Sequence, residues 1–125
     1  MPALLQVALG GALGAMLRYL TVQYSLRAFG AGFPYGTMIV NIVGSFVMGL
    51  FAVYMIERLG AARIAPFVLT GVLGGFTTFS AFSLDLIYLL EKARFGAAMI
   101  YLAGSVGLSI VAVMIGVLMM RSVLS

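Results

Sequence analysis

MIVNIVGSFVMGLFAVYMI, residues 38–56, runs from Met38 to Ile56 without a charged side chain and with one amide, Asn41, inside it. About 20 consecutive apolar residues in a helix cross the hydrocarbon core of a bilayer, so this stretch reads as a membrane span. Three further hydrophobic segments of similar length flank it. The four spans cover about Ala3 to Phe29, Tyr35 to Ile56, Ile64 to Leu90 and Gly96 to Met120, that is, about 3–29, 35–56, 64–90 and 96–120. GAGFPYG separates the first two, and its glycines and Pro34 interrupt a helix. ERLGAAR and EKARF form the other two loops. Connections this short make successive helices antiparallel neighbours. The expectation is an all-α membrane protein, one integral domain over residues 1–125.

Composition agrees. Of 125 residues, 64% are hydrophobic and 8% charged, against about 25% charged in a soluble domain. Such a chain cannot cover its surface with polar groups. It holds no cysteine and no histidine, and its acids are Glu57, Asp85 and Glu91 alone. Disulfides and thiolate ligands are excluded, and no enzyme reading survives this inventory. The N-terminal MPALLQVALGGALGAMLRY lacks the basic flank of a signal peptide and reads as a retained membrane helix. The partners expected are lipid, a small ion and a second copy of the chain, and no nucleic acid.

Charge placement is unusual. With alternating spans, Arg58, Arg63 and Arg121 fall on one side, and Arg27, Lys92 and Arg94 on the other. Orientation normally follows a Lys/Arg excess on one side, and here the two sides balance. One reading is a fixed orientation with a weak signal. The other is insertion both ways and assembly as an antiparallel, dual-topology homodimer, favoured because four short helices enclose little of a pore.

Small residues recur along the spans. Gly10 and Gly14 form GxxxG in the first, with Gly11 and Ala15 beside it, and Ser45 and Gly49 lie below Asn41 in the second. Such residues let backbones approach closely in lipid. They point to tight helix packing, within a protomer and across a subunit interface.

The intramembrane polar residues carry the functional signal. Arg18 either snorkels to an interface or faces protein or water. Asn41 offers donors in mid-span, for an interhelical hydrogen bond or for a ligand. Tyr101, Ser105 and Ser109 recur every four residues and stack on one face of the last helix. Hydroxyls there can bond back to their own helix or form a track of donors. LGGFTTFSAFS, residues 73–83, is poor helix in a helical segment. A break there frees backbone carbonyls at mid-membrane, tolerated only where protein, water or an ion satisfies them. Phe79 and Phe82 share a face beyond the break, and Ser80 and Ser83 the adjoining one. The rings are either lipid-facing packing or, with their electropositive edges, part of an uncharged site for a small anion. Asp85 falls near the depth of this aperture or slightly outside it.

Together GGALGAMLRY, GTMIVNIVGSFVMG, GGFTTFSAFS and the Tyr-Ser-Ser track resemble the Fluc (CrcB-type) fluoride channels over essentially the whole chain. That resemblance implies an antiparallel dimer with helix three broken at its centre and a structural sodium ion, not transported, on the carbonyls of Gly74 and Thr77. It implies twin fluoride pores lined by Asn41, Phe79 and Phe82, with Ser80 and Ser83 adjoining. Tyr101, Ser105 and Ser109 form the polar track, and Arg18 marks the vestibule. Ala81 and Asp85 depart from the threonine and glutamate common in that family. The function implied is passive, selective export of fluoride across a prokaryotic plasma membrane. The competing reading is a dual-topology cation/proton antiporter similar to the small multidrug-resistance transporters. Those need a membrane-embedded glutamate in helix one, where this chain has Arg18 and no acid.

Overall fold

The computed structural model describes residues 1–125, the Leu59 side chain excepted. Four helices are long and apolar enough to cross a membrane: α1 (Ala3–Phe29), α2 (Tyr35–Glu57), α3 (Pro66–Glu91) and α4 (Phe95–Leu124). A short 3-10 helix, Leu59–Ile64, joins α2 to α3. This is the all-helical membrane architecture read from hydropathy.

Local chemistry sets the ends. α1 stops at Gly30, whose φ of 78° suits glycine and whose N–H closes on Leu26 O at 2.9 Å. Pro34 directly precedes α2. The turn from α3 to α4 uses a residue with a side chain in the left-handed region, Ala93 at φ 57°. There Arg94 N–H reaches Leu89 O and Ala93 N–H reaches Leu90 O, each at 3.0 Å, a closure that glycine usually supplies. The Arg94 guanidinium donates to Gly32 O, tying the two loops at this end of the bundle together.

The third span is composite. Pro66–Leu73 is wound as a π-helix, and Gly74–Phe76 forms one α turn. Thr77 (φ −86°, ψ 157°) and Thr78 (φ −154°, ψ 120°) are extended, and α-helix resumes over Phe79–Glu91. Two glycines and two threonines in a row are weak helix formers, so the lapse falls where intrinsic preference is least.

Backbone proximity organises the bundle. α1 packs on the first half of α3, and α2 packs on α4. In lipid there is no hydrophobic drive between helices, so small residues permit the contact. A Cβ on Gly14 would run into Val72 O, and one on Gly75 would sit 2.8 Å from Gly11 O. One on Gly71 would lie 2.8 Å from Gly10 Cα. The GxxxG of α1 is thus occupied within the chain, against a Gly71/Gly75 ridge on α3. Gly116 and Gly49 make the matching close approach between α4 and α2, at 3.2 Å from the added Cβ to Gly49 Cα. The buried cluster is Phe82, Leu89, Ala98 and Tyr101, backed by Phe33, Met38 and Leu86. Outward faces carry exposed Leu4, Leu9, Met16, Leu20, Ile110, Met114 and Leu118, a surface suited to lipid or to another apolar face.

Candidate functional site

The break in α3 faces α2. Asn41 Nδ2 donates to Thr78 O at 2.9 Å, and Thr78 N–H donates to Asn41 Oδ1 at 2.7 Å. The amide therefore pairs with an extended residue as a neighbouring strand would, satisfying a donor and an acceptor that lost their helical partners. Thr78 Oγ1 accepts from Ala81 N–H at 3.2 Å and caps the resumed helix, a contact usually worth about 1 kcal/mol. Thr77 N–H and Oγ1 both donate to Leu73 O, at 3.1 and 3.0 Å. Arg18 Nε donates to Gly75 O at 3.0 Å, so the arginine supports the break from the α1 side. The carbonyls of Gly74 and Thr77 accept no hydrogen bond among the described residues.

Beside the break lies a groove of about 410 Å³ between α2, α3 and α4. Asn41, Thr77, Phe79, Phe82, Ser105 and Ser109 line it together with Ser45 and Met48, and none of its lining residues is charged. The Ser105 and Ser109 hydroxyls are buried without a hydrogen-bond partner. A buried hydroxyl left unsatisfied costs about 1–3 kcal/mol, and both groups bear that cost here. Phe79 and Phe82 stand 5.5 Å apart, tilted at 48°. Their exposure differs sharply: Phe82 is 5% exposed and Phe79 75%. One ring is held within the bundle and the other projects from it.

Not every expected site residue reaches the groove. Ser83 Oγ bonds back to Phe79 O at 3.0 Å, and Ser80 Oγ lies 3.3 Å from Thr78 Oγ1; neither lines the groove. Arg18 lies outside it too. Tyr101 is fully buried, and its OH donates to Asp85 Oδ2 at 3.0 Å, so its proton faces a carboxylate and not the groove. Thr37 Oγ1 donates to the same oxygen at 2.8 Å. The Tyr101 ring packs on Phe82 at 5.1 Å, tilted at 40°, and meets Phe33 edge-on at 5.5 Å. A Thr37–Asp85–Tyr101 tie thus steadies the Phe82 wall from behind. Sequence reasoning missed this tie, because Thr37 and Asp85 are 48 residues apart. It also missed Thr78 as a cap and Gly71 and Gly75 as a ridge, although hydroxyl-before-helix and GxxxG spacing were both visible.

Four membrane-length helices, with an uncharged groove between α2, α3 and α4 walled by aromatic rings and buried hydroxyls, define a small multi-pass membrane protein. The family described as CrcB-like protein, Camphor Resistance (CrcB), matches residues 5–117, and the chain belongs to that family. It is 56% identical to the fluoride-specific ion channel FluC of Cereibacter sphaeroides over 119 residues, 95% of this chain and 94% of the relative. It is 52% identical to the fluoride-specific ion channel FluC of Rhizobium etli over 117 residues, 93% and 94% of the two chains. The protein of the same name from Ruegeria sp. is 52% identical over 122 residues, 97% and 96%.

Proposed function

We propose that this chain is a fluoride-selective channel that lets the ion leave the cytoplasm passively down its gradient. The observation that carries the reading is the pair of buried, unpaired hydroxyls of Ser105 and Ser109 facing Asn41, Phe79 and Phe82 across an uncharged groove. Fluoride holds its water strongly, so a path for it must replace each lost donor closely. Hydroxyls, the second N–H of Asn41 Nδ2 and the positive edges of the rings supply donors of one sign in succession. Without a fixed charge, each stop is weak enough to leave again, which conduction requires. The relatives' name points to the same ion.

The working unit in this reading is an antiparallel homodimer inserted in both orientations, with the lapse in α3 at mid-membrane. The balanced Lys/Arg placement supports dual topology, and a Phe79 ring 75% exposed in the single protomer supports a partner against it. The free carbonyls of Gly74 and Thr77 suit a structural sodium ion shared between two copies, since neutral oxygens fit a hard monovalent cation. Such an ion would lock the break and take no part in transport. Arg18 and Asn41 hold the same backbone from either side, which keeps those carbonyls in place.

The test is efflux from liposomes loaded with fluoride or chloride. Fluoride release with chloride retained is the expected result; retention of fluoride with proton-coupled drug-cation export would replace this reading by the antiporter. Exchange of sodium for a large organic cation on both faces should then abolish fluoride flux, and Thr77→Ser should retain it because the ligands are backbone.

A further inference from the structure

At the end of the bundle away from the 58–63 loop, a second cavity of about 220 Å³ lies between the C-terminal end of α1, the 30–34 turn, the start of α2 and Asp85 of α3. Asp85 lies in the C-terminal half of α3 and brings a carboxylate to the wall of this cavity. One of its oxygens, Oδ2, takes both hydroxyl donors, Thr37 at 2.8 Å and Tyr101 at 3.0 Å. Oδ1 accepts no hydrogen bond, and no arginine or lysine pairs with the carboxylate, among the described residues. Ser25, 4% exposed, lines the same cavity from α1 with a hydroxyl that makes no hydrogen bond among the described residues.

The cavity also sits at a helix C-terminus. Leu26 and Gly30 line it, and of the last α1 carbonyls Leu26 O is closed by Gly30 N–H. A helix end presents the negative pole of its dipole and carbonyls without helical partners. The nearby cation, Arg94, is engaged on Gly32 O, and neither it nor Arg27 lines the cavity. The partly buried carboxylate and the helix C-terminus thus add potentials of one sign, and the Ser25 hydroxyl beside them can turn its lone pairs to a cation. Oxygen ligands with a single negative charge match a hard, singly charged cation better than a transition metal.

We propose that this cavity binds one small monovalent cation of the alkali type, with Asp85 Oδ1 as the charged ligand and Ser25 Oγ as a neutral one. The site is separate from the Gly74/Thr77 carbonyls and independent of which ion the groove carries. Its occupancy neutralises Asp85 while leaving the Thr37 and Tyr101 hydroxyls bonded to Oδ2. In a protein that passes an anion, that neutralisation removes a repelling charge from behind the Phe82 wall.

Thallium(I), a heavy monovalent cation, is the probe. Crystals of the full-length protein grown in thallium(I) nitrate should show an anomalous peak between Asp85 and Ser25. In Asp85→Asn crystals that peak should vanish while any peak at the Gly74 and Thr77 carbonyls persists. Ser25→Ala, which leaves the Tyr101 tie untouched, should raise the thallium concentration for half-occupancy by about tenfold, the scale of one lost ligand contact. No peak at Asp85 in the parent, or a peak indifferent to Asp85→Asn, overturns the proposal whether or not the protein conducts fluoride.

Discussion

Asn41 and Thr78 exchange two hydrogen bonds, 2.9 Å from Nδ2 to Thr78 O and 2.7 Å from Thr78 N–H to Oδ1. A residue two turns into α2 is therefore tied to the backbone of α3 where its helix lapses, and it lines the groove with what remains of its amide. Asn41→Ala leaves both Thr78 groups without a partner, at about 1–3 kcal/mol each. A lowered melting temperature in detergent should accompany loss of fluoride flux. Asn41→Asp keeps an acceptor for Thr78 N–H and adds a charge that repels an anion. Its second oxygen would face Thr78 O with no proton between them, so it should cost at least as much stability as Asn41→Ala and at least as much flux. Equal flux in Asn41→Asp and parent liposomes would remove Asn41 from the anion's path.

The two phenylalanines should separate packing from electrostatics. Phe82 is in the buried cluster against Tyr101, so Phe82→Ile should lower stability by about 1–3 kcal/mol and reduce flux. Phe79 is exposed in the protomer, so Phe79→Ile should leave the protomer's stability nearly unchanged and still reduce flux at least about tenfold, equivalent to one weak contact of about 1.4 kcal/mol. Thermal unfolding and liposome efflux on the same samples read the two effects. Parent-like flux in both variants would make the rings packing alone.

Glycines in α1 should divide by the face they occupy. A Cβ at Gly14 runs into the α3 backbone, whereas one at Gly11 meets nothing within 4 Å. Gly14→Ala should part α1 from α3 and lower the melting temperature markedly. Gly11→Ala should be neutral or stabilising by up to about 1 kcal/mol, the helix-propensity difference. If the two variants melted alike, the Gly10/Gly14 contact with Gly71/Gly75 would not hold the bundle.

Orientation gives a prediction at the level of the cell. A reporter fused after Ser125 should signal from both membrane faces, because the flanking Lys/Arg are balanced. Two or three lysines added to the 58–63 loop should bias insertion to one orientation and lower fluoride resistance. Co-expression with an oppositely biased copy should restore it. Full activity from a copy held in one orientation would rule out the antiparallel dimer.

The four spans were legible in the sequence because hydropathy is a local sum: residues 38–56 are apolar whatever surrounds them, and glycine and proline at Gly30 and Pro34 interrupt any helix. The weakness of GGFTT as helix was legible for the same reason, since propensity belongs to the residues themselves. Membership of the groove was not. Ser105 and Tyr101 share a helix face by spacing, yet Ser105 lines the groove with its hydroxyl unpaired and the Tyr101 hydroxyl is turned to Asp85. That difference follows from how α4 is rotated and set against α2 and α3, which the Gly49–Gly116 approach fixes. Likewise the sequence placed an amide in mid-span, but only the crossing of α2 and α3 brought Asn41 within hydrogen-bonding reach of Thr78, 37 residues away. Local composition determines which segments enter the membrane, whereas the contacts of small residues between helices decide which polar groups meet there.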